Sequence, residues 1–126
     1  MINESLHQLK NSLVEQGVRY CLPSYVDIHG VSKSKFVPIT HFDRMMNGSE
    51  LCTGAALDGI PQDVSDEEIS SHPDPESVII LPWKKDVAWF ASDLWCEGEP
   101  FEPCSRNIFK AVLAQAADMG YTFNFG

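Results

Sequence analysis

Among the residues whose types could do chemistry, Asp58 stands first. It sits between Leu57 and Gly59, with Ile60-Pro61 after it. Two roles fit a carboxylate in that setting. It can be a turn aspartate whose side chain accepts a hydrogen bond from a nearby backbone N–H, or a carboxylate that a mobile loop presents at a site. Other candidates read more plainly. His29 beside Gly30 reads as a turn residue, and His72 beside Pro73 as exposed loop. Trp83, Trp89 and Trp95 recur every six residues. Core packing is the reading for Trp89, and a stacking platform for a base is the other one. Lys33, Lys35, Lys84 and Lys85 read as a small basic patch or as solvated strand ends. The acidic stretch from Asp63 to Glu76 is interrupted by Ile69, His72 and two prolines, and it reads as a solvated loop rather than a metal site.

Composition removes several function classes. With 126 residues and a formal net charge of −9, the chain is one compact domain in length and would be repelled by a polyanionic backbone. No nucleic-acid partner is expected. The cysteines at 21, 52, 96 and 104 include no Cys-x-x-Cys pair, which argues against a zinc cage and for reduced thiols in the cytoplasm. Met1 is followed at once by Asn3, Glu4 and His7, so no signal peptide is expected, and the apolar runs are too short to span a bilayer. No phosphate-binding Gly-Lys-Ser/Thr, Gly-x-Gly-x-x-Gly, His-Glu-x-x-His or Gly-x-Ser-x-Gly motif is present.

The elements that must position these groups follow from period and punctuation. Ile2, Leu6, Leu9 and Leu13 share one face of a helix over residues 3 to 17, capped by Asn3 or Ser5 and ended by Gly17. Arg19 to Ile28 and Val31 to Ile39 read as a β-hairpin turning at His29-Gly30, with Pro23 and Pro38 near strand ends or on an edge. A short helix with Phe42, Met45 and Met46 on its apolar face ends at Gly48. Thr53 to Pro75 reads as loop, Ser77 to Leu81 as a short strand, and Asp86 to Trp95 as the strongest strand. Ser105 caps a second helix striped by Ile108, Phe109, Val112, Leu113, Ala116 and Ala117 and closed by Gly120. Tyr121 to Phe125 restarts as a strand with no successor, which suggests a truncated chain. Antiparallel strands with helices packed over one face give an α+β class.

Three stretches carry a resemblance. Val26-Asp27-Ile28-His29-Gly30-Val31 runs into Lys35-Phe36-Val37-Pro38. Leu57-Asp58-Gly59 precedes Pro73-Asp74-Pro75 and the run Val78-Ile79-Ile80-Leu81-Pro82-Trp83. Gly98-Glu99-Pro100-Phe101 precedes Ser105-Arg106-Asn107-Ile108-Phe109-Lys110 and Gly120-Tyr121-Thr122-Phe123. In this order and spacing, over about 19 to 126, the chain resembles the amino-terminal β-grasp domain of glutamine synthetases running into their catalytic domain. The stretch from Val78 to Asp93 is most similar to the type III branch, which includes glutamate–methylamine ligase-like enzymes.

The resemblance implies a β-grasp domain, with an antiparallel or mixed sheet and packed helices, over residues 18–103. A leading helix would occupy 1–17, and 105–126 would begin a catalytic domain that is cut short. The implied parent is a cytoplasmic, ring-forming homo-oligomer that joins glutamate to ammonia or a small amine, using ATP and magnesium or manganese. No metal or nucleotide ligand is expected on this segment, because the family's metal-binding glutamates begin just past a position like Gly126. The fragment alone is therefore expected to be inactive. In the family the Asp-Gly loop reaches a neighbouring subunit's active site, where its aspartate binds ammonium and accepts a proton. Asp58 matches that aspartate, with Gly59 and Ile60 beside it in the substrate loop. Many members carry two serines after the glycine where this chain has Ile60-Pro61, a change that suits an amine pocket with room for a methyl group. The rival acceptors are methylamine and polyamines. The rival class is a free-standing β-grasp module that binds a partner along an edge strand.

Overall fold

The structure, a computed structural model, describes residues 4–124. The readings that fall on Ile2, Asn3, Phe125 and Gly126 lie outside the described residues. In chain order the elements are α1 (Glu4–Glu15), β1 (Tyr20–Val26), β2 (Ser32–Ser34), β3 (Val37–Pro38), α2 (Phe42–Met46), β4 (Glu50–Cys52), β5 (Ile69–Pro73), β6 (Ile79–Leu81), β7 (Lys84–Cys96), β8 (Glu99–Pro100) and α3 (Ser105–Asp118). The class is α+β, as the sequence indicates, and the sheet is mixed. Its main path runs β2-β1-β7-β5-β4, with β3 on β1 and with β6 and β8 on β7. The β1–β7 pair is parallel, Tyr20 opposite Val87 through Ser24 opposite Ala91.

One long strand serves two half-sheets. Residues Val87 to Ala91 of β7 pair with β1, and Ser92 to Trp95 pair with β5. Each half has its own core. Leu13, Val18, Cys21, Val37, Phe42, Met45, Ala88 and Phe90 are buried together under α1 and α2, and Phe42 meets Phe90 edge-on with centroids 6.1 Å apart. Ile69, Leu94 and Cys104 form the second core, with Tyr25, Cys52, Ile60 and Phe101 packed against them. Burial pushes the Cys21 thiol up to about 12, so it stays protonated. The sheet then curls until its two ends meet: Lys35, just past β2, donates through Nζ to the carbonyl of Leu51 on β4.

The helices stop where the glycines placed them. Gly17, Gly48 and Gly120 all have positive φ. At each, two N–H groups turn back onto the last turn, as when Gly120 donates to Ala117 O and Tyr121 to Ala116 O, a Schellman closure. The hairpin also holds, with β1 antiparallel to both β2 and β3.

Several expectations need correction. Thr53 to Pro75 is not all loop: β5 occupies Ile69–Pro73 between β7 and β4. The acidic stretch is therefore partly sheet. His72 is not exposed loop but half-buried in β5, stacked on Trp95 at 4.6 Å. Burial holds its imidazole below the ordinary value. Pro23 lies inside β1, fully buried, rather than at an end. The ladder from β1 to β2 begins at Ser24 and the ladder to β3 ends at Cys21, so Leu22 and Pro23 face a gap where a missing N–H does no harm. Trp89 is only half-buried. Ala88, Phe90, Ser92 and Leu94 on the alternate positions are all buried, whereas on the Trp89 face burial is confined to Val87 and Ala91. Trp83 is 81% exposed at the β6–β7 turn. Lys33 and Lys85 lie toward opposite ends of β1, since Lys33 pairs with Tyr25 while Val87 pairs with Tyr20. The four lysines do not form one patch. The residue before α3 is Cys104, not Ser105, and it makes no side-chain cap bond. Its sulfur instead accepts the N–H of Leu94. Tyr121 to Asn124 form no strand, since they have no ladder partner among the described residues.

Helix α3 is held to the sheet by charge as well as packing. Arg106 Nε donates to Asp93 Oδ1 at 2.8 Å, its other arm reaches Asp74 Oδ2 at 3.1 Å, and Lys110 pairs with Asp93 Oδ2. Asn107 Nδ2 donates to the carbonyls of Leu94 and Phe101, both at 2.9 Å. For Asp93, burial pushes the carboxyl up. The hydrogen bonds from Lys110 and Arg106 outweigh it and leave the group below its ordinary value. A depressed folded value stabilises the protein above the unfolded carboxyl value of about 3.9 and loses that stabilisation as pH falls through the folded value. Wild type is thus expected to lose stability below about pH 4 more steeply than Asp93→Asn. Denaturant midpoints against pH test this, and parallel acid branches would contradict it.

Candidate functional site

Two segments far apart in sequence build this site. The first is the β1–β2 turn. Asp27 Oδ1 accepts the N–H groups of His29 and Val31, each at 2.9 Å, and Gly30 N–H donates to Asp27 O at 3.1 Å. Lys33 Nζ lies 3.5 Å from Asp27 Oδ2. The Val31 N–H first, with the His29 N–H and Lys33 adding, holds the Asp27 carboxyl below its usual range. This aspartate fixes the turn from inside, an Asx-type closure. Ile28 and His29 are left to project outward.

The second segment follows β4. A single 3₁₀ turn at Gly54–Ala56 leads to Leu57, and Ile60 N–H donates back to Leu57 O at 3.2 Å. Asp58 and Gly59 are the two central residues of that β-turn. Gly59 has φ +83, the left-handed conformation favoured for glycine at the third turn position. Its bare Cα also lies against Ile28, and a Cβ there would come within 2.6 Å of Ile28 Cγ2. Ile60 turns back into the protein and packs on the second core. The loop is therefore pinned on both sides of Asp58, by Gly59 on the first turn and by Ile60 on the core.

Between these pins Asp58 points outward, its side chain 80% exposed, with Oδ2 3.1 Å from Nε2 of His29, itself 58% exposed. As an ionised group a carboxylate only accepts, so the imidazole N–H donates. The turn reading of Asp58 is right about the backbone, but the side chain bonds another segment rather than a nearby amide. Asp58, Ile60, Ile28 and Leu57 line one small crevice, with Cys104 and Ser105 also on its wall. His29, read from sequence as a turn residue, is the functional candidate that sequence reasoning missed. A histidine 29 positions from its partner carries no local signal, and only the curl of the sheet joins them.

The other motif residues have structural roles. Asp74 accepts the N–H of Glu76 at 3.0 Å and the guanidinium of Arg106. Arg106 and Asn107 bind α3 to the sheet. Among the described residues no group of three or more His, Cys, Asp or Glu comes together as a metal cage. Nor is any described helix long and apolar enough to cross a membrane.

No protein-family profile matches the chain. Curated relatives do. It is 36% identical over 114 residues to a glutamine synthetase of Rhizobium meliloti, and 31% identical over 117 residues to one of Staphylococcus epidermidis. Each match takes in 89% of this chain and 26% of the relative, so the chain spans about a quarter of the relatives' length. Among solved structures it is similar to GmaS in an ADP complex and without ligand. Both are 37% identical with a TM-score of 0.82, covering 88% of this chain and 26% of GmaS.

The Gly59 contact yields a direct test. Gly59→Ala should cost about 1 kcal/mol or more, through a strained φ and the clash with Ile28. Adding Ile28→Ala should recover part of that loss. Chemical denaturation of both variants checks this, and a fully stable Gly59→Ala would show that the two segments are not packed as described.

Proposed function

The chain belongs to the glutamine synthetase family, matching the amino-terminal part of its members, and on that premise we propose that it is the amino-terminal part of an ATP-dependent glutamate–ammonia ligase. In this reading its Asp58 loop completes the active site of a neighbouring subunit in a cytoplasmic homo-oligomer. Residues 18–103 form the β-grasp domain, and 105–126 begin the catalytic domain. Helix α3 leaves Ile108 and Val112 about half exposed, apolar surface that a following domain would cover.

The observation that carries the reading is Asp58 itself: a carboxylate held out into solvent on a turn pinned at Gly59 and Ile60. A structural turn aspartate would have its oxygens on its own backbone, as Asp27 does. In the parent enzyme ATP, with magnesium or manganese, would supply the phosphoryl group that activates glutamate's γ-carboxylate, and the residues that hold it would lie outside the motifs found here. The task left to this chain is the amine. An exposed carboxylate attracts ammonium by charge and then accepts one of its protons, which frees the nitrogen lone pair for attack. Gly59 sets the direction of Asp58, and Ile60 fixes how far the loop extends.

In the full-length enzyme, Asp58→Asn should lower kcat by roughly 10²- to 10⁴-fold while nucleotide binding stays unchanged. Steady-state kinetics with calorimetric nucleotide titration checks both. An unimpaired kcat would remove Asp58 from the reaction.

A second acceptor, methylamine, is favoured by one observation. GmaS, a glutamate–methylamine ligase, is as similar to this chain as the glutamine synthetases are, and the loop carries the apolar Ile60 directly after Asp58-Gly59. Ile60→Ser should then shift preference from methylamine toward ammonia. An unchanged ratio of kcat/KM for the two amines would exclude Ile60 from amine selection.

A further inference from the structure

We infer that His29 is a positioning residue for Asp58: its imidazole holds the carboxylate in the orientation from which it takes the amine's proton. This inference rests on the reading of Asp58 given above and names a residue that reading does not contain.

Three observations carry it. First, the contact is direct, 3.1 Å between Nε2 and Oδ2, and it is the hydrogen bond that Asp58 makes across to another segment. Second, His29 is itself placed by a built device. Its backbone N–H is held by Asp27, whose other contacts to Val31 and Lys33 lock the turn. A side chain on so fixed a backbone has few ways to reach a partner, so its hydrogen bond transmits position. Third, the two segments are registered to each other by packing one residue away on each side. Ile28 precedes His29, Gly59 follows Asp58, and those two neighbours lie in contact too close to admit a Cβ. The hydrogen bond and the apolar contact thus form one joint, which sets where the turn and the loop sit relative to each other.

The pair is too exposed to matter much for stability, since even fully charged surface pairs contribute little to folding. Its value lies in restricting a carboxylate that otherwise samples several rotamers. One oxygen bound to His29 leaves the other free to face the amine. When Asp58 accepts a proton from ammonium, the bond formed is O–H on that free oxygen and the bond broken is N–H on the amine. His29 keeps its own proton throughout. A misplaced acceptor loses rate rather than affinity for the other substrates.

The test uses the full-length enzyme with four variants: His29→Ala, His29→Gln, Asp58→Asn and the double variant His29→Ala/Asp58→Asn. His29→Ala should lower kcat roughly 10- to 100-fold at saturating amine, with KM for ATP and the melting temperature unchanged. Glutamine retains an N–H donor of similar reach, so His29→Gln should recover most of that loss. On the Asp58→Asn background, His29→Ala should add nothing further. Wild-type kcat in His29→Ala beside an impaired Asp58→Asn would overturn this inference and leave the Asp58 reading standing. So would fully additive losses in the double variant, or a His29→Gln as slow as His29→Ala. An unimpaired Asp58→Asn would instead overturn the reading itself, and the inference with it.

Discussion

Strand β7 has to satisfy two sheets with one backbone, and the rest of the molecule is arranged around that requirement. Over Val87 to Ala91 its polar groups pair in parallel with β1, and over Ser92 to Trp95 they pair antiparallel with β5. A strand of 13 residues used this way cannot stay flat, because the twist accumulated along it separates the directions of its two sets of partners. Two cores follow, one under α1 and α2 and one around Ile69 and Leu94. The same twist brings β2 and β4, the two ends of the sheet path, to within reach of the Lys35–Leu51 hydrogen bond.

The site is a consequence of that curl. The β1–β2 turn belongs to one end of the sheet and the Asp58 loop leaves the other, so a flat sheet of the same order would hold them apart with β7 and β5 between. Curled, they meet through Ile28 and Gly59 and through His29 and Asp58. What is asked of each residue is then modest. Asp27 closes a turn, Gly59 makes room, Ile60 anchors, and Asp58 is left exposed with its one bond to His29 across the joint. A charged group held out on a fixed backbone is what a binding or catalytic role needs.

Much of the fold was legible because local chemistry decided it. The glycines that end the helices, the His29-Gly30 turn and the long alternation of β7 all act within a few residues of where they are read. Strand β5 was missed for the opposite reason. Ile-Ser-Ser-His-Pro carries one strongly apolar side chain, and Ser71 is buried by its neighbours on β4 and β7 rather than by its own hydrophobicity. Trp89 was misplaced because alternation shows that two faces exist without showing which is packed. The α1 and α2 side chains Leu13, Phe42 and Met45 cluster with Ala88 and Phe90, so that face is the one filled. Pro23 looked like an edge residue because the gap between β2 and β3 opposite it depends on register. For the site, Asp58 and its neighbours came from the order of family-like motifs, whereas the joint between the two motifs is tertiary and had no sequence signal. Resemblance identified the two halves separately, and the curl of the sheet shows that they are one object.

The central claim is that this object faces an active site in a neighbouring subunit. A structure of the full-length assembly with nucleotide, metal and a mimic of the phosphorylated glutamyl intermediate measures it most directly. Asp58 of one protomer is expected within about 3 Å of the amine position in the adjacent protomer, with His29 still on its other oxygen. A fully assembled, ligand-filled enzyme in which Asp58 faces bulk solvent, away from every nucleotide, would contradict it.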